Sequence, residues 1–303
     1  MNAEYGFPIW ALELLRCPRD SAPLKFTSPS SSGRCVQGQV RCTSCEARFE
    51  IADGILDLLG TSVPEEKDSR HELELRDGAD PLLRGAPGTT LGWRDVAEIE
   101  STLACIGEVR GARVLELGCG PGCYTRRLLS AACVVAVDFS MAALKRNRAQ
   151  LAIDAPVALV RADVGTLHLS PGSFDLAITM LYSNLPTKGL RAAGNRAVWT
   201  ALRPGGRYLV STHHQDLRRS LKGAPLSGYY SEGGIFFQCF TPSMLQAELS
   251  EFDRISTQEQ SMRADGVLTE QETSTLSTQL DALQTKVERV LASLPGGGGG
   301  GGY

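Results

Sequence analysis

The chain has 303 residues, of which 42% are hydrophobic and 21% are charged, a composition typical of a globular protein. This length accommodates one large α/β domain and a small accessory module. The formal net charge of -3 gives no global attraction to nucleic acid or anionic lipid. No apolar run has the length of a membrane span, and the first residues lack a basic signal-peptide head. We therefore expect a cytoplasmic protein with no membrane association.

Three cysteines near the N-terminus have the spacing of zinc ligands. Cys42 and Cys45 form a Cys-x-x-Cys turn, in which two thiolates can converge on one Zn²⁺. The corresponding first turn begins at Cys17 but carries Asp20 in place of a second cysteine. Because a carboxylate also binds zinc, Asp20 is a candidate fourth ligand, and Cys35 is the alternative. Bound structural zinc and a metal-free module held by its apolar hairpins are both open at this point.

The same segment ends in the sequence Asp-Gly-Ile-Leu-Asp-Leu-Leu at residues 53–59. Together with the cysteine turns, this ending resembles the small zinc-ribbon module found as a methyltransferase activator and as an N-terminal fusion. The resemblance implies a β-rich module over residues 1–60. A linker and helical cap are then expected over 61–95. There, Glu74-Leu75-Arg76-Asp77 resembles the helix that closes over the cofactor in this fused subgroup.

A glycine-rich turn follows the apolar strand 113–117. Glycines at 118, 120 and 122 let the backbone approach a ligand without Cβ collisions, and we expect a helix to follow whose N-terminus offers unpaired N–H groups. A dinucleotide fingerprint would need a further glycine at 123, where this chain has Cys123. Nicotinamide binding is therefore disfavoured.

Further apolar strands follow the glycine turn. They are predicted at residues 134–138, 157–164, 174–180 and 202–211. The first ends in Asp138, about twenty residues after the turn, where a carboxylate can accept both hydroxyls of a ribose. Strands that alternate with helices predict an α/β fold with a doubly wound, mostly parallel sheet.

These segments together resemble the class I S-adenosylmethionine-dependent methyltransferase family, in its type 11-like group, over roughly residues 90–260. The resemblance implies S-adenosylmethionine as cofactor of a core at 96–265. It assigns the methionine part to the three glycines, the ribose to Asp138, the adenine to Asp163 with Val164, and orientation of the turn to Glu116. The cofactor-binding candidates are Glu116, Gly118, Cys119, Gly120, Gly122, Asp138, Phe139, Asp163, Val164 and Met180.

The acceptor should bind beyond the carboxyl ends of the fourth and fifth core strands and against an insertion near 213–241. Candidate catalytic side chains there are Tyr182, His213, His214 and Tyr229. A dedicated base is not required, because alignment of acceptor, methyl and sulfonium can supply most of the catalysis. Residues 181–186 lack the Asn/Asp-Pro-Pro-aromatic turn of enzymes that methylate exocyclic amines, which disfavours that chemistry.

The aromatic insertion favours a small-molecule acceptor. Ribosomal RNA is the alternative, because a related fusion methylates a guanine of large-subunit RNA and the N-terminal segment carries several basic residues. They are Arg16, Arg19, Lys25, Arg34, Arg41 and Arg48. Two further alternatives are intramolecular cyclisation of the cofactor, which is not a methyl transfer, and a non-catalytic activator of another methyltransferase.

The C-terminal region has apolar residues at helical spacing. This pattern predicts an amphipathic helix over 266–294, which packs on the core of a monomer or forms half of a homodimer seam. The glycine run within residues 295–303 predicts a disordered tail.

Overall fold

A computed structural model gives the fold of the chain. It describes residues 5–27, 33–60, 67–77, 93–180, 182–214, 227–229 and 236–252. The predicted C-terminal helix 266–294, the tail 295–303 and part of the predicted insertion lie outside these described residues.

The described chain forms strands and helices in the following order. The strands are β1 (Phe7–Pro8), β2 (Leu24–Phe26), β3 (Arg34–Cys35), β4 (Gly38–Cys42), β5 (Arg48–Ala52), β6 (Ile55–Asp57), β7 (Arg113–Leu117), β8 (Cys133–Asp138), β9 (Val157–Arg161), β10 (Phe174–Thr179), β11 (Leu202–Val210), β12 (His213–His214), β13 (Ser227–Tyr229) and β14 (Phe236–Phe240). The α-helices are α1 (Lys67–Asp77), α2 (Trp93–Ile106), α3 (Met141–Arg148), α4 (Lys188–Ala201) and α5 (Pro242–Glu248). None of the helices in the described ranges is long and apolar enough to cross a membrane.

The predicted doubly wound sheet is confirmed. Parallel strands lie in the order β11-β10-β7-β8-β9-β6 at its centre. The chain leaves β7 first toward β8 and β9 and later toward β10 and β11. The two crossovers therefore diverge beside β7, which creates the crevice in which such sheets bind ligands, beyond the carboxyl ends of the strands.

The sheet continues without a break into the N-terminal segment, which is described over residues 5–27 and 33–60. Strand β6 pairs in parallel with β9, with Ile55 opposite Leu159 and Asp57 opposite Arg161. Strands β5, β4 and β2 then extend the sheet in antiparallel order. The segment thus covers the edge of the parallel sheet, which would otherwise present unpaired backbone groups.

The core lies on both faces of this sheet, as alternation of side chains along each strand requires. Leu115 and Val135 join one buried cluster, which also contains Phe7 and Phe49 of the N-terminal segment. Val114, with Val134 and Ala136 of β8, belongs to a second cluster on the opposite face, which also contains Tyr5 and Ile55 of the N-terminal segment. The N-terminal segment and the parallel strands consequently share both cores.

The prediction of an α-helix directly after the glycine turn is wrong. Only a 3₁₀ helix of 3 residues, Thr125–Arg127, is present there. The N–H groups of Arg127 and Leu128 donate to the carbonyls three residues earlier, at 2.8 and 3.1 Å. Strand β8 begins at Cys133, so the connection turns tightly. The backbone donors near the crevice beside β7 are therefore those of the turn itself.

Candidate functional site

The glycine turn after β7 adopts a backbone that side chains would disturb. Gly118, Gly120 and Gly122 have φ angles of +69°, +51° and +89°. A Cβ atom on Gly122 would also lie 2.3 Å from the Oδ1 atom of Asn147, which is closer than any real contact. The turn therefore requires glycine at 122 for space as well as for conformation.

Asp138, the last residue of β8, is tied directly to this turn. Its Oδ2 atom accepts from the N–H of Gly120 at 2.8 Å, and its Oδ1 atom accepts from the N–H of Ser140 at 2.9 Å. The side chain is buried at 8% exposure. An ionised carboxylate has about four lone-pair sites, so two N–H groups do not saturate it. The protein thus fixes the carboxylate in place with its own backbone.

Glu116 lies behind the turn in a buried network. It accepts from the Thr125 hydroxyl at 2.7 Å, and the Thr125 Oγ1 atom accepts from Asn147 Nδ2 at 2.9 Å. Burial raises the pKa of Glu116 to about 8, and the negative charge of Asp138 adds to this effect. Below that pKa the residue is a neutral acid that holds the turn without adding a second negative charge.

The remaining cofactor candidates lie at the same end of the sheet, where the parallel strands have their carboxyl ends. Cys119 is buried within the turn, and the Met180 carbonyl oxygen lies 3.9 Å from where a Gly118 Cβ would stand. The Asp163 carboxylate accepts from the N–H of Gly165 at 2.8 Å, after β9. The structure therefore gathers the predicted residues around the carboxyl ends of β7, β8, β9 and β10.

Helix α1 contacts both the N-terminus of α3 and strand β14. Its last residue, Asp77, accepts from the Ser140 hydroxyl at 2.8 Å, at the N-terminus of α3. Five residues earlier, the buried Glu72 carboxylate accepts from the N–H of Phe236 in β14 at 2.7 Å. The motif Glu74-Leu75-Arg76-Asp77 pointed to this helix through its resemblance to a cap, but not to these two contacts. Ser140 was a second signal, as a residue type that favours a helix N-cap.

Tyr182 is buried in a network that anchors α5. Its hydroxyl donates to Glu248 at 3.1 Å and accepts from Asn195 at 2.9 Å. Arg191 binds the same Glu248 carboxylate through two nitrogens, at 2.7 and 2.9 Å. Burial raises the pKa of Tyr182, and its side chain is only 1% exposed. The Tyr182 hydroxyl is thus enclosed by Glu248 and Asn195, which makes Tyr182 an anchor of α5. Its selection as a catalytic candidate stays a prediction.

The other catalytic candidates lie on a small three-stranded sheet of order β12-β14-β13. The His213 ring packs on Phe237, with 4.5 Å between ring centroids. His214 and Tyr229 belong to β12 and β13, and their side chains lie outside the described part of the structure. Asn184 donates to the Phe236 carbonyl at 2.9 Å, which fixes this small sheet against the core.

Four polar side chains of the N-terminal segment converge at one point. The sulfur or carboxylate atoms of Cys17, Asp20, Cys42 and Cys45 all lie within 4.8 Å of one another. The Cys17 and Cys45 sulfurs are 3.7 Å apart, and Cys42 Sγ lies 3.3 Å from Asp20 Oδ1. Tetrahedral zinc with Zn–S bonds of about 2.3 Å separates its sulfurs by about 3.8 Å, so these residues fit that ion.

Cys35, the alternative ligand, is not part of this group. Its thiol donates to the Gln37 carbonyl at 3.2 Å, beside β3. In the group itself, the N–H of Arg19 donates to Cys17 Sγ, and the N–H groups of Ser44 and Cys45 donate to Cys42 Sγ, each at 3.4 Å. Such N–H donors stabilise sulfur that carries negative charge.

Comparison with known proteins identifies the central part of this chain. Residues 114–206 match the family described as "Methyltransferase domain". This range holds β7 to β10, the glycine turn and Asp138. The central part of the chain is therefore similar to a methyltransferase domain.

Two curated relatives are similar to part of this chain. Malonyl-[acyl-carrier protein] O-methyltransferase from Pseudescherichia vulneris is 36% identical over 113 residues, which cover 36% of this chain and 42% of the relative. Demethylmenaquinone methyltransferase from Clavibacter sepedonicus is 36% identical over 115 residues, covering 36% and 44%. The chain thus spans less than half the length of either relative. Among solved structures, an S-adenosylmethionine dependent methyltransferase from Mesorhizobium loti aligns with a TM-score of 0.43 and 27% identity, covering 53% of this chain and 80% of that one.

Proposed function

We propose that the whole chain transfers the methyl group of S-adenosylmethionine to a small-molecule acceptor. The observation that carries this proposal is the geometry of the glycine turn beside the buried Asp138 carboxylate. This pair stands at the crevice beside β7, inside the range that matches the methyltransferase domain.

Each residue of the crevice has a distinct task in this proposal. S-adenosylmethionine, when bound, supplies a methyl group made electrophilic by the adjacent sulfonium. The glycines leave room for the methionine part, Asp138 accepts from the ribose hydroxyls, and Asp163 with Val164 meets the adenine. Glu116 holds the turn through Thr125. These contacts fix the direction in which the methyl points, so that an aligned acceptor needs little further activation.

A small-molecule acceptor is supported by three observations. Neither curated relative is named for an RNA acceptor. In the small sheet, Phe237 of β14 is only partly buried and packs on His213, an aromatic surface that suits an apolar or aromatic molecule. The basic residues of segment 12–59 are also equalled in number by acidic ones, so that segment is not net basic. These acids are Glu13, Asp20, Glu46, Glu50, Asp53 and Asp57.

We also propose that Cys17, Asp20, Cys42 and Cys45 bind one structural zinc ion. The four ligand atoms fit a tetrahedral site, and three backbone N–H groups already face two of the sulfurs. The site is part of a segment that completes the central sheet through β6. Zinc would stabilise that segment and has no place in the methyl transfer.

The experiment uses S-adenosylmethionine labelled in its methyl group. The purified chain is incubated with a metabolite extract, with ribosomal RNA, and without any acceptor. We expect labelled methyl in the metabolite fraction and S-adenosylhomocysteine as coproduct. Labelled RNA would establish the RNA alternative, and methylthioadenosine in the acceptor-free arm would establish cyclisation. Cofactor binding without turnover, together with stimulation of a second methyltransferase, would establish the activator alternative.

A further inference from the structure

Arg161, at the end of β9, is the point where three parts of the chain meet. Its Nε atom donates to the Phe139 carbonyl at 3.1 Å, next to the cofactor edge. Its Nη1 atom donates to Asp57 Oδ2 at 3.1 Å and to the Gly60 carbonyl at 3.3 Å, both in the N-terminal segment. Its Nη2 atom lies 3.7 Å from Asp77 Oδ2 at the end of α1. With a side chain only 15% exposed, Arg161 is held by all three.

These contacts converge on the few residues that follow β8. Phe139 comes directly after Asp138, and its carbonyl is one partner of Arg161. Asp77, the second partner, accepts from the Ser140 hydroxyl at 2.8 Å. The N–H of Ser140 in turn donates to Asp138 at 2.9 Å. Arg161 therefore constrains this stretch directly through one residue and indirectly through another.

The N-terminal segment holds Arg161 from the opposite side. The Asp57 Oδ1 atom accepts from the N–H groups of Leu59 and Gly60, at 3.0 and 2.7 Å, which leaves Oδ2 for the guanidinium. Strand pairing also places Arg161 between Asp57 of β6 and Asp138 of β8. A planar guanidinium with several fixed donors suits such a bridge, whereas an ammonium group has one compact head.

We propose that Arg161 is a positioning residue for the adenosine half of the cofactor. It fixes the backbone after β8, and with it the direction of the Asp138 carboxylate, while Asp57 holds Arg161 in place. The inference rests on the proposed function, since it concerns the same cofactor. It gives the N-terminal segment a share in cofactor affinity although the segment contributes no cofactor-binding candidate.

The test compares variants that remove the contacts between Arg161 and its partners with a variant that removes a different ion pair of the N-terminal segment. Arg161→Met keeps the apolar stem and removes every donor. Asp57→Asn keeps an Oδ1 acceptor for the two N–H groups and loses the acceptor facing Arg161. Arg148→Met is the matched control, because Arg148 also links α3 to the N-terminal segment, 3.9 Å from Asp53, but at the far end of the helix. Arg161→Lys tests whether charge alone suffices.

Calorimetry with S-adenosylmethionine gives the first readout, at a temperature where circular dichroism shows each variant folded. We expect Kd to rise about tenfold in Arg161→Met, as for a lost charge-assisted contact, with smaller rises in Asp57→Asn and Arg161→Lys. Arg148→Met should bind within about twofold of wild type. An equally large rise of Kd in Arg148→Met would overturn the proposal. So would an unchanged Kd in a folded Arg161→Met variant.

Hydrogen exchange of residues 138–143 without cofactor gives the second readout. Exchange should increase in Arg161→Met and stay as in wild type in Arg148→Met. If the wild-type chain bound no S-adenosylmethionine, the proposed function would fall. The exchange measurement would then still decide whether Arg161 constrains this stretch, since unchanged exchange contradicts it.

Discussion

The glycine turn and the N-terminal cysteine group both gather polar atoms at a tight turn, but they stabilise them differently. In the glycine turn, the Asp138 carboxylate accepts from two backbone N–H groups of the chain itself. In the cysteine group, three sulfurs and a carboxylate face one another within 4.8 Å. The first site is organised before its ligand binds, whereas the second needs a cation to hold charged ligands together.

The largest effect we expect comes from the cysteine group. Cys42→Ser should release zinc and cost roughly 4 kcal/mol, which lowers Tm by on the order of 10 °C. Cys35→Ser is the control, since its hydroxyl can keep the bond to Gln37 and it lies outside the group. Thermal unfolding and elemental analysis of chelator-free protein provide the measurements. Absence of zinc, with equal Tm values for the two variants, would show a metal-free segment.

The glycine turn is predicted to tolerate no side chain at Gly122. Gly122→Ala would drive a Cβ atom into Asn147, whose amide is already bound to Thr125. We expect a loss of about 3 kcal/mol in the free energy of unfolding. Gly172→Ala is the matched control, with φ of +61° and no atom within 4 Å of the added Cβ, and should lose about 1 kcal/mol. Urea unfolding measures both, and similar losses would contradict the collision.

The pH dependence of stability tests the environment of Glu116. Its pKa is raised to about 8 by burial, from an ordinary value of 4.5, so the folded state binds the extra proton between these values. Stability from this group is therefore present at low pH and decreases as pH rises through that window, by up to about 1.4 kcal/mol per pH unit. Urea unfolding at pH 5 and pH 7.5 should show this decrease, and Glu116→Gln should reduce it. The same slope in both proteins would mean that Glu116 is ionised in the fold.

The fold of the central sheet could be predicted because its strands are continuous apolar runs, which buried parallel strands require. The 3₁₀ helix after the turn could not, since glycine spacing alone does not distinguish a tight connection from an α-helix. The pairing of β6 with β9 was also hidden. Asp57 and Arg161 are 104 positions apart, and local periodicity carries no information about such a pair.

The candidate sites also divide into features that the sequence predicts and features that only the tertiary structure supplies. Asp138 could be found from its place at a strand end, and three cysteines from their spacing. The choice between Asp20 and Cys35 depended on how β2, β3 and β4 bring the turns together. The roles of Tyr182 and Arg161 depended on contacts with Glu248, Asp57 and Asp77, which only the tertiary structure supplies.

Calorimetric titration of the Asp138→Ala variant with S-adenosylmethionine tests the central claim most directly. Asp175→Ala is the control, because Asp175 also accepts from a backbone N–H, that of Arg113 at 2.7 Å, but at the amino ends of the parallel strands. The account predicts that Asp138→Ala weakens binding at least tenfold, through loss of a bidentate contact to the ribose, while Asp175→Ala binds as wild type does. Binding by a folded Asp138→Ala variant with the wild-type Kd would contradict it.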